Sequence, residues 1–156
     1  YVDKMPSSLL GIVGQGILSN KSIGRLTEII EADSANWSAW YARAMNHLHW
    51  PRVMRHAPKS IADFEQAIKI QKALNLSSPK PYFELAYVGL GDAMLKDKQH
   101  DEARAIWNEG LAMFPLSARL RKRLSLDDNE KLEEYMETAR ALKKQINTDL
   151  SVIWSE

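Results

Sequence analysis

Three of the four histidines, His47, His49 and His56, fall within ten residues of one another, and imidazole is the natural metal ligand in a chain with no cysteine. Two residues apart on a helix, His47 and His49 point to nearly opposite faces, so only His49 with His56 is an easy chelating pair. His47 takes a position that packs between helices, His100 packs at a helix start, and no bound metal or other cofactor is expected. The segment Trp50-Pro51-Arg52-Val53-Met54-Arg55-His56-Ala57-Pro58 is the most unusual in the chain. It gathers an aromatic, two arginines and a methionine, the residue types that carry interface energy. Either it presents Trp50, Arg52 and Arg55 to a partner, or Trp50 and Val53 tuck into the core beneath a long loop.

Other chemistries fail on spacing. Gly11, Gly14 and Gly16 before Lys21-Ser22 do not make a phosphate loop, because Gln15 and Asn20 stand where its glycines belong and no strand precedes them. Those glycines are expected to let helices approach closely. The run Arg119, Arg121, Lys122, Arg123 lacks interleaved aromatics and reads as a solvated helix face balanced by the acids of the next helix, so no nucleic acid is expected as a partner. Glu133 with Glu134 and Asp127 with Asp128 have no apolar pocket to shift their protonation. No Ser/His/Asp constellation stands out, and the chain is expected not to be an enzyme.

Composition agrees with a folded domain. The 156 residues are 45% hydrophobic and 26% charged with a formal net charge of +1, enough chain for a core and no global field for polyanions. The absence of cysteine removes disulfides, thiolate zinc and a Cys nucleophile. The apolar stretch from Leu9 to Leu18 is about half of what a bilayer span requires, so no transmembrane segment is expected. Nor does it have the flanks of an intact signal peptide. If Tyr1 is a processed end, the expected location is the bacterial periplasm.

Apolar residues recur at three- and four-residue spacing throughout, and no stretch alternates as a half-buried strand does, which predicts an all-α chain. Breaks are expected at Asn20–Lys21, Asp33–Asn36, Trp50–Lys59, Leu76–Pro81, Lys96–His100, Phe114–Ser117 and Leu126–Asn129, giving about seven helices. From Glu84 to Pro115 one unit stands out: Tyr87-x2-Leu90-Gly91-x2-Met94, then Ala103-x3-Trp107, Gly110 and Pro115. Small Gly91, Ala103 and Gly110 would sit where two helices approach, and Tyr87, Leu90 and Trp107 would fill the space between them. Lys96-Asp97-Lys98-Gln99 would form the turn, and Asp101 would cap the second helix.

This unit resembles the tetratricopeptide repeat, with Met94 in place of its usual Tyr and Trp107 in place of Phe. A second unit matches Trp40 to Tyr87, Ala44 to Gly91, Ser60 to Ala103, Phe64 to Trp107 and Ala67 to Gly110. Its spacing of 47 residues exceeds the usual ~34, with the excess in the inter-helix loop and before the next unit. Ser22 to Glu31 resembles a further second helix, whose partner would be Ser7 to Gly16. The resemblance therefore implies one domain over residues 1–156: a right-handed α-solenoid of three helix pairs at about 5–36, 37–76 and 84–117, a capping segment at 118–147 and a tail at 148–156. The cap would carry Leu132, Tyr135, Met136, Ala139, Leu142 and Ile146 along one face.

Domains of this family bind proteins through the concave groove of their first helices. Carried over by position, the groove would comprise Tyr41, Met45 and His49 with Leu85, Val88, Asp92 and Lys96, joined by the 50–58 loop. Tyr41, Ala42, Met45, Leu85 and Gly89 stand where a carboxylate clamp would need Lys, Arg or Asn, so that clamp is not expected. The expected function is an adaptor for a protein or peptide. A second expectation is a permanent structural or assembly subunit of a larger hetero-complex, of redox or cytochrome type among others, locked in through the tail Leu150–Trp154; a third is a His-based metal or cofactor carrier.

Overall fold

A computed structural model describes residues 7–142 of the chain. Among them are seven α-helices and no strand: α1 (Ser7–Ala32), α2 (Trp37–His49), α3 (Ala57–Ala73), α4 (Glu84–Lys96), α5 (His100–Met113), α6 (Ala118–Leu124) and α7 (Asn129–Leu142). Short 3-10 turns at Arg52–Met54 and Pro81–Phe83 lead into α3 and α4. Neighbours in sequence are neighbours in space, with α2 packed on α3, α3 on α4 and α4 on α5. The expected tail at 148–156 and the last part of the cap lie outside the described residues.

Local signals account for most helix ends. Asn36 caps α2, its side chain accepting from the Ala39 amide at 3.0 Å, and Ser117 caps α6 by accepting from Leu120 at 3.3 Å. Pro58 lies in the first turn of α3, where its missing N–H costs nothing. Lys98 at φ 67° reverses the chain between α4 and α5. Asp101 does not cap α5. That helix begins at His100, and Asp101 and Glu102 occupy its first turn, where their charge still favours the helix dipole.

The two central pairs pack as their small residues predict. Trp107, Tyr87, Phe64 and Leu90 form the interior, and each large ring lies against a residue that leaves it room. A Cβ on Gly91 would lie 2.1 Å from Trp107 Nε1, one on Gly110 would lie 2.6 Å from Tyr87 Cβ, and one on Gly89 would lie 2.3 Å from the Phe64 ring. Ser60 donates to the Ala44 carbonyl at 2.8 Å, so its hydroxyl is satisfied where Ala103 has none. Trp40 departs from its expected equivalence with Tyr87. It is half-buried and donates to the Ser34 carbonyl, while Trp37 and Tyr41, stacked 5.0 Å apart, fill the core instead.

The first expected pair is a single helix. α1 runs unbroken through Asn20 and Lys21, neither of which forbids helix. Its residues Ser19, Ile23, Leu26, Thr27 and Ile30 face inward along the part that meets α2. Among the described residues, two helix pairs therefore match the expected units, α2–α3 and α4–α5, with one long helix before them and α6 and α7 after them. The glycines of α1 do not serve close packing as expected: nothing lies within 4 Å of a Cβ on Gly14 or Gly24, and Gly16 meets only Trp50 at 3.7 Å.

Candidate functional site

Seven residues were expected to line an open groove. Four of them, Tyr41, Val88, Asp92 and Lys96, are buried instead. Met45 and Leu85 pack partly buried against the core, and His49 is exposed. The positions expected to line the groove are covered by the protein itself. Arg123 of α6 grips Asp92 of α4 through two bonds, Nε to Oδ1 at 2.6 Å and the guanidinium to Oδ2 at 2.8 Å. This corrects the reading of the 119–123 run as a solvated face: Arg123 is a core residue, and Arg119 pairs with Glu84 at 2.7 Å on the preceding α4. Burial would lower the protonation constant of Arg123, and Asp92 outweighs it, leaving the guanidinium more firmly charged than usual. Burial likewise pushes the Tyr41 hydroxyl up to about 12.

Lys96 closes the other end of this face. Its ammonium donates to the carbonyls of Leu48 and Trp50 at the end of α2, and Arg52 Nε donates at 2.9 Å to the Lys96 carbonyl. These bonds tie the 50–58 loop to α4. On its other side Trp50 stacks on His56 at 4.5 Å, and His56 Nδ1 meets His47 Nδ1 at 2.9 Å. The histidine pair is thus His47–His56, not His49–His56, because His47 faces inward where the loop returns. One ring must hold its proton on Nδ1 and the other must be bare there, so at most one of the two can be charged while this bond is made. Burial drives the His47 constant down to about 4 and that of His56 down as well, with Lys59 and Lys96 adding to the latter. Among the described residues no three His or acidic side chains converge to hold a metal ion.

The loop itself points outward. Val53 is 83% exposed and Met54 51%, with Arg52 and Arg55 exposed beside them. Of the two readings of this segment, Trp50 is tucked in and Val53 is not. Trp50 is half-buried, with its Nε1 enclosed and without a partner. Arg55 adopts φ 52°, a left-handed conformation that an L residue takes at a cost. From Ser34 to Ala62 the chain contains no Asp or Glu, so the loop is cationic in a chain that is nearly neutral overall.

Beside the loop lies a cleft of about 230 Å³, lined by His49, Trp50, Pro51 and Arg52 on one side, Leu95 and Lys96 from α4, and Glu133, Met136 and Glu137 from α7. Sequence reasoning assigned α7 to capping alone and missed this role. Glu133 receives bonds from Lys98 and from His100 Nε2, the latter at 2.7 Å, and lies 4.0 Å from Arg52. Those donors, Lys98 first, hold its carboxyl below the usual glutamate range. Buried Leu132 and Met136 mark the packed side of α7, and the sequence does not say which neighbour that side meets.

Among the described residues the architecture is all-helical, seven helices packed against one another, with a braced cationic loop and a small mixed cleft. No protein-family model, curated protein or solved structure matches the chain. Among the described residues no helix is long and apolar enough to cross a membrane.

Proposed function

We propose that this protein is a tetratricopeptide-like scaffold that binds another protein through the Arg52–Arg55 loop and the adjoining cleft, without catalysing a reaction. The inner face that the resemblance assigned to the partner is taken up by Asp92–Arg123 and by Lys96, so the binding surface moves to its rim. Of the expected contact residues, His49, Arg52 and Arg55 remain accessible, with part of Trp50; Val53, Met54, Glu133 and Glu137 join them.

One observation carries this reading: two large apolar side chains, Val53 and Met54, stand exposed on a loop that is braced from below by a ring stack and a hydrogen bond. Here the Trp50–His56 stack and the Arg52 bond to Lys96 fix the loop, so a partner pays little ordering entropy on binding it. Burying the two side chains would contribute about 1.5–3 kcal/mol each, and the flanking arginines would add charge steering toward an acidic surface.

The test is affinity capture from the native source with the wild-type chain and with V53S/M54S, followed by reconstitution with the captured protein. The double variant changes only side chains of the exposed loop, so its circular dichroism should match the wild type, and its capture of the partner should fall at least tenfold. Equal capture by a folded V53S/M54S would remove the loop from the binding surface.

A further inference from the structure

The loop between α2 and α3 is closed by a contact that is sensitive to charge. His56 Nδ1, just before α3, meets His47 Nδ1 of α2 at 2.9 Å, and the His56 ring stacks on Trp50 with the planes 23° apart. A bond between two imidazole nitrogens holds one proton, so the accepting ring must be neutral. A carbonyl in the same place would accept from a charged ring as well as from a neutral one. The surroundings do not compensate a second charge. Arg43 of α2, Lys59 of α3 and Lys96 of α4 are cations that face the pair. Asp63 of α3 also faces it, but both its oxygens already accept from Arg43 at 2.8 Å. Glu31 of α1 acts on Arg43, and Glu133 of α7 is bonded to Lys98 and His100.

We propose that the His47–His56 contact is an acid-sensitive latch: it survives the first added proton, breaks at the second, and then frees the 50–56 loop from α2. The first proton belongs on His56, whose ring lies flat on Trp50, where a cation is favoured, and His56 Nδ1–H still donates to bare His47 Nδ1. The second must go to that acceptor, and two N–H groups cannot bond to each other. Given the loop's proposed part in binding, on which this consequence rests, opening the latch also ends capture of the partner.

The sign follows from burial. Well above pH 6.5 His47 is neutral whether the loop is closed or open. As pH falls toward about 4, the open arrangement takes up a proton that the closed one refuses, so the open-to-closed ratio rises, with a ceiling of about 300-fold set by that interval. The closed loop is also poised to yield. Arg55 is held at φ 52°, and Val53 and Met54 are so exposed that opening loses little of their burial.

Proton–nitrogen correlation spectra of the full chain, followed from about pH 7.5 to about pH 4.5, test the latch. The amides of Val53, Met54 and Arg55 and the Trp50 indole signal should move together, with the midpoint at which the His47 ring titrates, while the amides of Leu90 and Trp107 stay in place. H47N, whose amide reaches the Nδ1 position without taking up a proton, should hold the loop signals where they are at neutral pH. Loop signals that stay fixed in the wild type, that follow a midpoint other than that of the His47 ring, or that move equally in H47N would each overturn the proposal. So would core amides that move with the loop, the mark of general acid unfolding. If H47N does not fold, the agreement of midpoints in the wild type decides. Capture of the partner should fall at least tenfold over the same range in the wild type and hold in H47N. A loop that opens while capture is unchanged would sink the binding role of the loop and leave the latch standing; a loop that stays closed sinks the latch alone.

Discussion

Removing the carboxylate of Asp92 should unfold much of the margin by which this domain is stable. Its side chain is 8% exposed and that of Arg123 is 10% exposed, and the pair is joined by two bonds of 2.6 and 2.8 Å. At an effective dielectric of about 20, charges ~4 Å apart attract by about 4 kcal/mol. Most of that attraction offsets the cost of burying both ions, so the pair as a whole contributes little, while either partner left alone is expensive. Asp92→Ala and Arg123→Ala should therefore each lose roughly 3–5 kcal/mol, against a total of about 5–15 for a domain of this kind. Replacing both by apolar residues, as in D92L/R123M, should recover stability to within about 1 kcal/mol of the wild type. Urea unfolding followed by tryptophan fluorescence measures all four proteins, and a constant denaturant slope certifies the comparison. If Asp92→Ala costs less than about 1 kcal/mol, or if the double variant costs the sum of the singles, the buried-pair reasoning fails. The same double variant separates structure from binding: D92L/R123M should still capture the partner that V53S/M54S loses. Loss of capture by a stable D92L/R123M would return Asp92 to the binding surface.

Gly91→Ala should cost about 1–3 kcal/mol or more in the same assay, because the new methyl meets Trp107 at 2.1 Å, whereas Gly24→Ala, facing open space, should gain about 0.5–1 kcal/mol. Equal effects at the two sites would show that the inter-helix contact does not decide them. Asn36→Ala should cost about 1 kcal/mol through loss of the α2 cap, seen as a lower unfolding midpoint at constant slope. Acidification should weaken the fold through His47. Well above pH 6.5 the ring is neutral in both states. As pH falls from there toward about 4 the unfolded chain takes up a proton that the buried, 6% exposed ring refuses, so stability declines by up to roughly 3 kcal/mol and then levels. H47Q should flatten that part of the profile, and an unchanged slope would mean the histidine pair is not the cause.

How much of this was legible beforehand depended on whether the information was local. The helical class and most helix ends follow from three- and four-residue apolar spacing and from caps such as Asn36 and Ser117, which act within a few residues. That Gly91 and Gly110 lie where helices come close was legible too, because small residues at fixed spacing mark such approaches; which ring lies over each was not. Asn20 and Lys21 show the limit. Nothing in either residue decides between a turn and a continued helix, so the outcome rests on what the rest of α1 packs against. Asp92, Lys96 and Arg123 show it again. As letters they are ordinary surface charges, and only the arrival of α6 and of the loop beside α4 turns them into buried, mutually satisfied groups.

By itself the sequence determined the all-α class, the two central helix pairs and the unusual character of the Trp50–Pro58 segment, since each is written in neighbouring residues. Tertiary structure decided the length of α1, the filling of the inner face, the joining of His47 to His56 and the part of α7 in the cleft. Those outcomes are set by distances between residues far apart in the chain, and the cost of burying a charge or a polar group is fixed only once its partner is in place.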